Sequence, residues 1–169
     1  MPMLHERYKI TPIWMAEGSP SAADTNYVFA RDANWITILL AEENFGAAGT
    51  AHNWTVYAAT AADGTNAAAL TTGVTVVGEQ AISNAATNDV LAAITVTSGV
   101  FAGDTTTTTY SYYLIEIDPA ALGTNATDGL QNDWVGLYCS ATDADTNVTA
   151  IAIVDQRYKE ALGGPTAAA

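Results

Sequence analysis

An all-β sandwich is the fold class this sequence predicts. Three observations lead to it: short segments that alternate apolar and polar residues, turn-forming residues between them, and almost no helical periodicity. Taken in order, Arg7 to Trp14 alternates through Tyr8, Ile10 and Pro12 and closes on Ile13-Trp14. Trp35 to Leu40 is aromatic and β-branched and reads as a buried strand. Asn53 to Ala58 sets Trp54, Val56 and Ala58 on one face against Asn53, Thr55 and Tyr57. Val74 to Val77 and Val90 to Thr97 follow. Tyr110 to Ile117 opposes Tyr112, Leu114 and Glu116 to Tyr113, Ile115 and Ile117. Trp134 to Cys139 and Val148 to Val154 complete the set. The total is about eight strands, for which a jelly roll is the leading architecture.

The joints carry their own signals. Asp63-Gly64 is a turn pair, and Asn44 to Gly49 brings two more glycines. Asp118-Pro119-Ala120-Ala121-Leu122-Gly123 predicts one helical turn, with Asp as N-cap, Pro in the first position and Gly as the stop. Arg157 to Leu162 is expected to form a short terminal helix. The domain organisation that follows is a single sandwich over residues 1–165, with residues 1–12 an extended docking arm and 166–169 a disordered tail.

Composition narrows the function. Five Lys and Arg face eighteen Asp and Glu, a net charge of −13 in 169 residues, with a pI near 4.1. Nucleic-acid recognition depends on clustered cations, so this balance argues against it. No apolar run has the roughly 20 residues that a membrane-spanning helix needs. The opening His5-Glu6-Arg7-Tyr8-Lys9 occupies the place where the apolar segment of a secretory signal would lie. The single cysteine, Cys139, sits in an apolar strand and reads as an inert core thiol of a protein made in a reducing compartment.

Catalytic chemistry is not expected. His5 and His52 are the only histidines, and neither has a partner at ligand spacing. Glu42 and Glu43 are neighbours on a strand and so point to opposite faces, poorly placed as a dyad. Phosphate loops, dinucleotide fingerprints and nucleophile elbows are missing from the sequence, and no cofactor is expected. The best metal candidate is Asp143-x-Asp145-x-Asn147, which copies the opening of a calcium loop. It has Val148 where that loop needs glycine and Val154 where it needs glutamate, so a polar hairpin is the stronger reading. Trp14, Trp35, Trp54 and Trp134 fall in strands and are expected in the core. Tyr110, Tyr112 and Tyr113 must place at least one ring outside it.

Four of the five cations lie in two copies of one tripeptide, Arg7-Tyr8-Lys9 and Arg157-Tyr158-Lys159, and no Lys or Arg occurs from Asp32 to Gln156. Two readings fit. Glu6, Asp155 and Glu160 can pair with them locally, or the two ends together form a docking patch; Arg and Tyr are enriched at interface hot spots.

These two ends, with the short Ala- and Thr-rich strands between them, resemble the capsid decoration or cement proteins of tailed bacteriophages. The resemblance implies a β-rich protein, commonly trimeric, that binds the outside of the assembled shell and holds neighbouring capsomers together. The major capsid protein would be its partner, the virion exterior its location after assembly in the bacterial cytoplasm, and it would have no catalytic residues. The alternatives are a receptor- or carbohydrate-binding module of a tail fibre or baseplate, which the tyrosine strand favours, and a subunit that polymerises by strand exchange.

Overall fold

The computed structural model describes residues 8–16, 26–44, 52–82, 91–103, 109–140 and 146–156. Eleven strands lie among them: β1 (Tyr8–Ala16), β2 (Val28–Phe29), β3 (Ala33–Asn44), β4 (Asn53–Ala59), β5 (Ala68–Ala69), β6 (Val74–Ile82), β7 (Ala92–Ile94), β8 (Val100–Ala102), β9 (Thr109–Ile117), β10 (Trp134–Cys139) and β11 (Thr146–Gln156). They form two antiparallel sheets packed face to face. The larger has the order β1-β11-β3-β9-β6-β7; the smaller runs β2-β10-β4-β5, with β8 also pairing with β4.

Early and late strands pair in a nested way, β1 with β11, β2 with β10, β3 with β9 and β4 with β8. A rolled antiparallel ribbon of jelly-roll type has this nesting. In the larger sheet the nested pairs β1·β11 and β3·β9 join through β11 and β3, and β6 and β7 extend the sheet beyond β9.

Each of the eight predicted strands is present. The additions, β2, β5 and β8, have two or three residues each, too few to show a period. Residues 8–12 depart from expectation. They are the first half of edge strand β1 rather than an arm, because their alternation matches β11 from Tyr8 opposite Asp155 to Pro12 opposite Ile151. Pro12 is tolerated there because an edge strand has one side with no ladder to complete. The predicted terminal helix and the 166–169 tail lie outside the described residues.

The inward positions build the core. Ile36, Ile38 and Leu40 of β3, Ile115 and Ile117 of β9, and Ala150, Ala152 and Val154 of β11 face Trp54 and Val56 of β4 and Val135 and Leu137 of β10. Burial of each large apolar side chain contributes about 1.5–3 kcal/mol. Trp14 and Trp54 are fully buried and meet edge to face with centroids 5.5 Å apart. Two tryptophans expected in the core are elsewhere. Trp35 is 38% exposed, because Ile36, Ile38 and Leu40 take the inward phase of β3 and turn it outward. Trp134 is half-buried beside Phe29 at 5.2 Å. Cys139 is buried, as expected.

The helical turn forms as a 3-10 turn, Pro119–Leu122, with Asp118 Oδ1 accepting from the Ala120 amide at 2.9 Å. Two loop carboxylates are held in the same manner. Asp63 accepts from the Thr65 hydroxyl at 2.6 Å and its amide at 2.9 Å. Asp128 accepts from the Leu130 amide at 2.9 Å, from Asn66 Nδ2 at 2.5 Å and from the Thr60 hydroxyl at 3.3 Å, tying two loops together. The Thr65 hydroxyl and amide lower the Asp63 pKa, and chiefly the Leu130 amide lowers that of Asp128. Both folded values thus lie below the unfolded carboxylate value of about 3.9. Their contribution is complete above that value and is lost as pH falls through the depressed folded values. The Thr65 and Leu130 amide resonances should therefore titrate with midpoints below ~3.9, and Asp63→Asn should abolish the Thr65 titration alone.

Candidate functional site

The register of β1 and β11 sets the position of the basic ends. Tyr8 lies opposite Asp155 and Lys9 opposite Val154, so the strands leading to both tripeptides meet at one end of the larger sheet. Within β1 the two described members point to opposite faces. Lys9 shares the inner face with Val154 and places its ammonium 5.9 Å from the centroid of the Phe29 ring in the other sheet. Such a contact contributes about 0.5–1 kcal/mol. Tyr8 is on the outer face, in a row with Asp155 and Trp35. Arg7, Arg157, Tyr158 and Lys159 lie outside the described residues.

The calcium candidate is only partly described, since Asp143 and Asp145 fall outside. Asn147, expected in a hairpin turn, is instead inside β11 opposite Glu43, and its Nδ2 donates to Glu43 Oε2 at 3.3 Å. Among the described residues no group of three His, Cys, Asp or Glu side chains could hold a metal ion.

Sequence reasoning missed a polar cluster in the core. Glu42 follows Ile36, Ile38 and Leu40 in the inward phase of β3 and has its side chain 1% exposed. Its Oε2 accepts from Trp54 Nε1 at 2.8 Å and lies 2.8 Å from His52 Nε2; its Oε1 accepts from the Tyr113 hydroxyl at 2.6 Å. Because a carboxylate only accepts, Nε2 of His52 carries the hydrogen. Glu42 and Tyr113 belong to the larger sheet, whereas Trp54 is in the smaller one and His52 immediately precedes it. The cluster therefore ties the two layers across the core. His52 is seated on Gly103, where a Cβ would come within 2.0 Å of Nε2, and its carbonyl accepts from the Gly103 amide at 3.0 Å. With His52 at 7% and Glu42 at 1% side-chain exposure, the cluster is buried between the layers it ties together.

An open concavity of about 550 Å3 lies between the 3-10 turn and the segments 30–33 and 131–133. Its cation is already engaged. Arg31 Nε donates to Asp133 Oδ1 at 2.8 Å and its Nη2 to Asp133 Oδ2, a bidentate pair, while Asp32 leaves the cleft lining with a net negative charge.

The chain matches no family model, no curated protein and no solved structure. Its described part is an all-β sandwich, and no helix within it is long and apolar enough to cross a membrane.

Proposed function

We propose that this chain is a structural protein of a tailed-bacteriophage virion. It binds the outer surface of the capsid and strengthens contacts between neighbouring capsomers, with Arg7, Tyr8, Arg157, Tyr158 and Lys159 as the capsid-facing patch and Lys9, half-buried over Phe29 at the end of the sheet, at its margin. The observation that carries the reading is the pairing of Tyr8 with Asp155: the strand that begins inside the first tripeptide and the strand that leads to the second run side by side at one end of the larger sheet, in a chain with a net charge of −13. A dipolar body of this kind suits one-sided attachment. Its positive end is attracted to an acidic surface while its acidic remainder repels further copies. Multiple contacts per molecule, as in a trimer spanning several capsomers, would multiply the affinity of each.

Co-sedimentation with empty shells tests the proposal. Replacing both tripeptides by Ala-Ala-Ala should reduce the bound fraction by at least about tenfold, and raising the salt concentration should weaken wild-type binding in parallel. Undiminished binding by the variant would remove the patch from the account. Solution mass measurement should find the trimer.

A further inference from the structure

The outer face of the larger sheet departs from what an antiparallel sandwich requires. Such a face normally meets water and is polar. Here one cross-strand row is apolar on all six strands, through Pro12, Ile151, Leu39, Leu114, Val77 and Ala93. Leu39 in this row is 39% exposed, and Leu91 and Tyr112 beside it are 45% and 40% exposed. A groove of about 330 Å3 runs between these side chains, and its wall is almost wholly hydrocarbon. Exposed apolar patches of this continuity mark interaction sites.

The charges around the groove specify the partner. Glu116 stands in the neighbouring row of the same face on one side, and Glu43 two rows away on the other. Glu79 lies opposite Tyr112 and accepts from its hydroxyl at 2.9 Å, while its buried Oε1 accepts no hydrogen bond among the described residues. The two described cations are elsewhere, Lys9 over Phe29 on the inner face and Arg31 paired with Asp133. Among the described residues, the charges that frame the groove are thus all negative.

We infer that this face is a second docking surface, separate from the basic end, and that it takes a protein ridge of apolar side chains flanked by Lys or Arg. A second copy of this chain would set Glu43, Glu79 and Glu116 against their own equivalents, and an anionic lipid surface would be repelled in the same way. Sugar recognition needs hydrogen-bonding groups beside an aromatic platform; Tyr112 supplies a ring here, but the walls expose almost no polar surface and the Tyr112 hydroxyl is already donating.

The test uses the full chain and two synthetic amphipathic peptides, one of Leu and Lys and one of Leu and Glu, followed by amide chemical shifts. The Leu–Lys peptide should shift Leu39, Leu114 and Ile151, and the Leu–Glu peptide should shift none of them. Leu39→Asn with Ile151→Asn, which leaves the net charge at −13, should weaken Leu–Lys binding by at least about tenfold. Glu43→Gln with Glu116→Gln should weaken it severalfold, and the melting temperature of each variant shows that it is folded. Equal binding by wild type and the Leu39/Ile151 variant would reduce the effect to bulk charge and overturn the inference. So would equal binding of both peptides, or shifts with neither. A wild-type dimer that the same double substitution dissociates would assign the face to a second copy instead.

Discussion

Replacing Glu42 with leucine should lower stability by about 3–5 kcal/mol, because breaking one side of a buried polar pair strands its partners. The Trp54 indole N–H, the His52 Nε2–H and the Tyr113 hydroxyl all converge on this one carboxylate. Leucine offers none of them an acceptor, and each buried donor without a partner costs about 1–3 kcal/mol. For a domain of this length the loss corresponds to a fall in melting temperature of roughly 6–20 °C. Glutamine is the informative comparison. It can turn its carbonyl oxygen toward His52 and Trp54 and donate through Nε2 to the Tyr113 hydroxyl, which can accept. Glu42→Gln should therefore cost only about 1–2 kcal/mol. Glu43→Ala, one residue along and on the outer face, should cost less than about 1 kcal/mol. Equal melting temperatures for Glu42→Leu and Glu43→Ala would show that the cluster does not bind the sheets together.

Gly99→Ala should cost about 2–4 kcal/mol for a different reason. Gly99 has φ +75°, and a Cβ there would come within 2.0 Å of the Leu70 carbonyl oxygen, a backbone atom that no rotamer change can move aside. Its own carbonyl accepts from the Val56 amide at 3.1 Å, while the Leu70 amide donates to the Val56 carbonyl at 2.9 Å. Relieving the clash therefore pulls at both backbone bonds of Val56 in the middle of β4. Gly129→Ala is the control: φ is +70° and nothing lies within 4 Å of the added Cβ. Only the left-handed backbone cost of roughly 1 kcal/mol remains there. Denaturant unfolding of both variants separates the clash from the backbone term; equal losses would contradict the packing described for Gly99.

The layer structure was legible from alternation alone, since a period of two needs only four or five residues to assign a face. The alternation of β9 placed Tyr113, Ile115 and Ile117 together, and these three are buried while Tyr110 and Tyr112 are exposed. The same rule, carried one step further along β3, would have placed Glu42 inside with Ile36, Ile38 and Leu40. An acid in the inward phase of an apolar strand is the signal that was available. Its partners were not legible. His52, Trp54 and Tyr113 approach Glu42 through sheet packing and cross-strand neighbours separated by 10 to 71 residues in the chain. Trp35 was misplaced because tryptophan's usual burial was weighed above the phase of its own strand. The row of apolar residues across the outer face depends on the register of five strand pairs, which no single strand reveals.

The docking account rests on the basic end, and chemistry supplies a direct probe of it. Lys9 and Lys159 are the only lysines in the chain, one in each tripeptide. Amine acetylation followed by mass spectrometry therefore reads the two halves of the patch with no background from the body. Shell-bound protein should acetylate at both lysines severalfold more slowly than free protein. Unchanged acetylation of Lys9 and Lys159 in protein that remains on the shells would contradict attachment through this end.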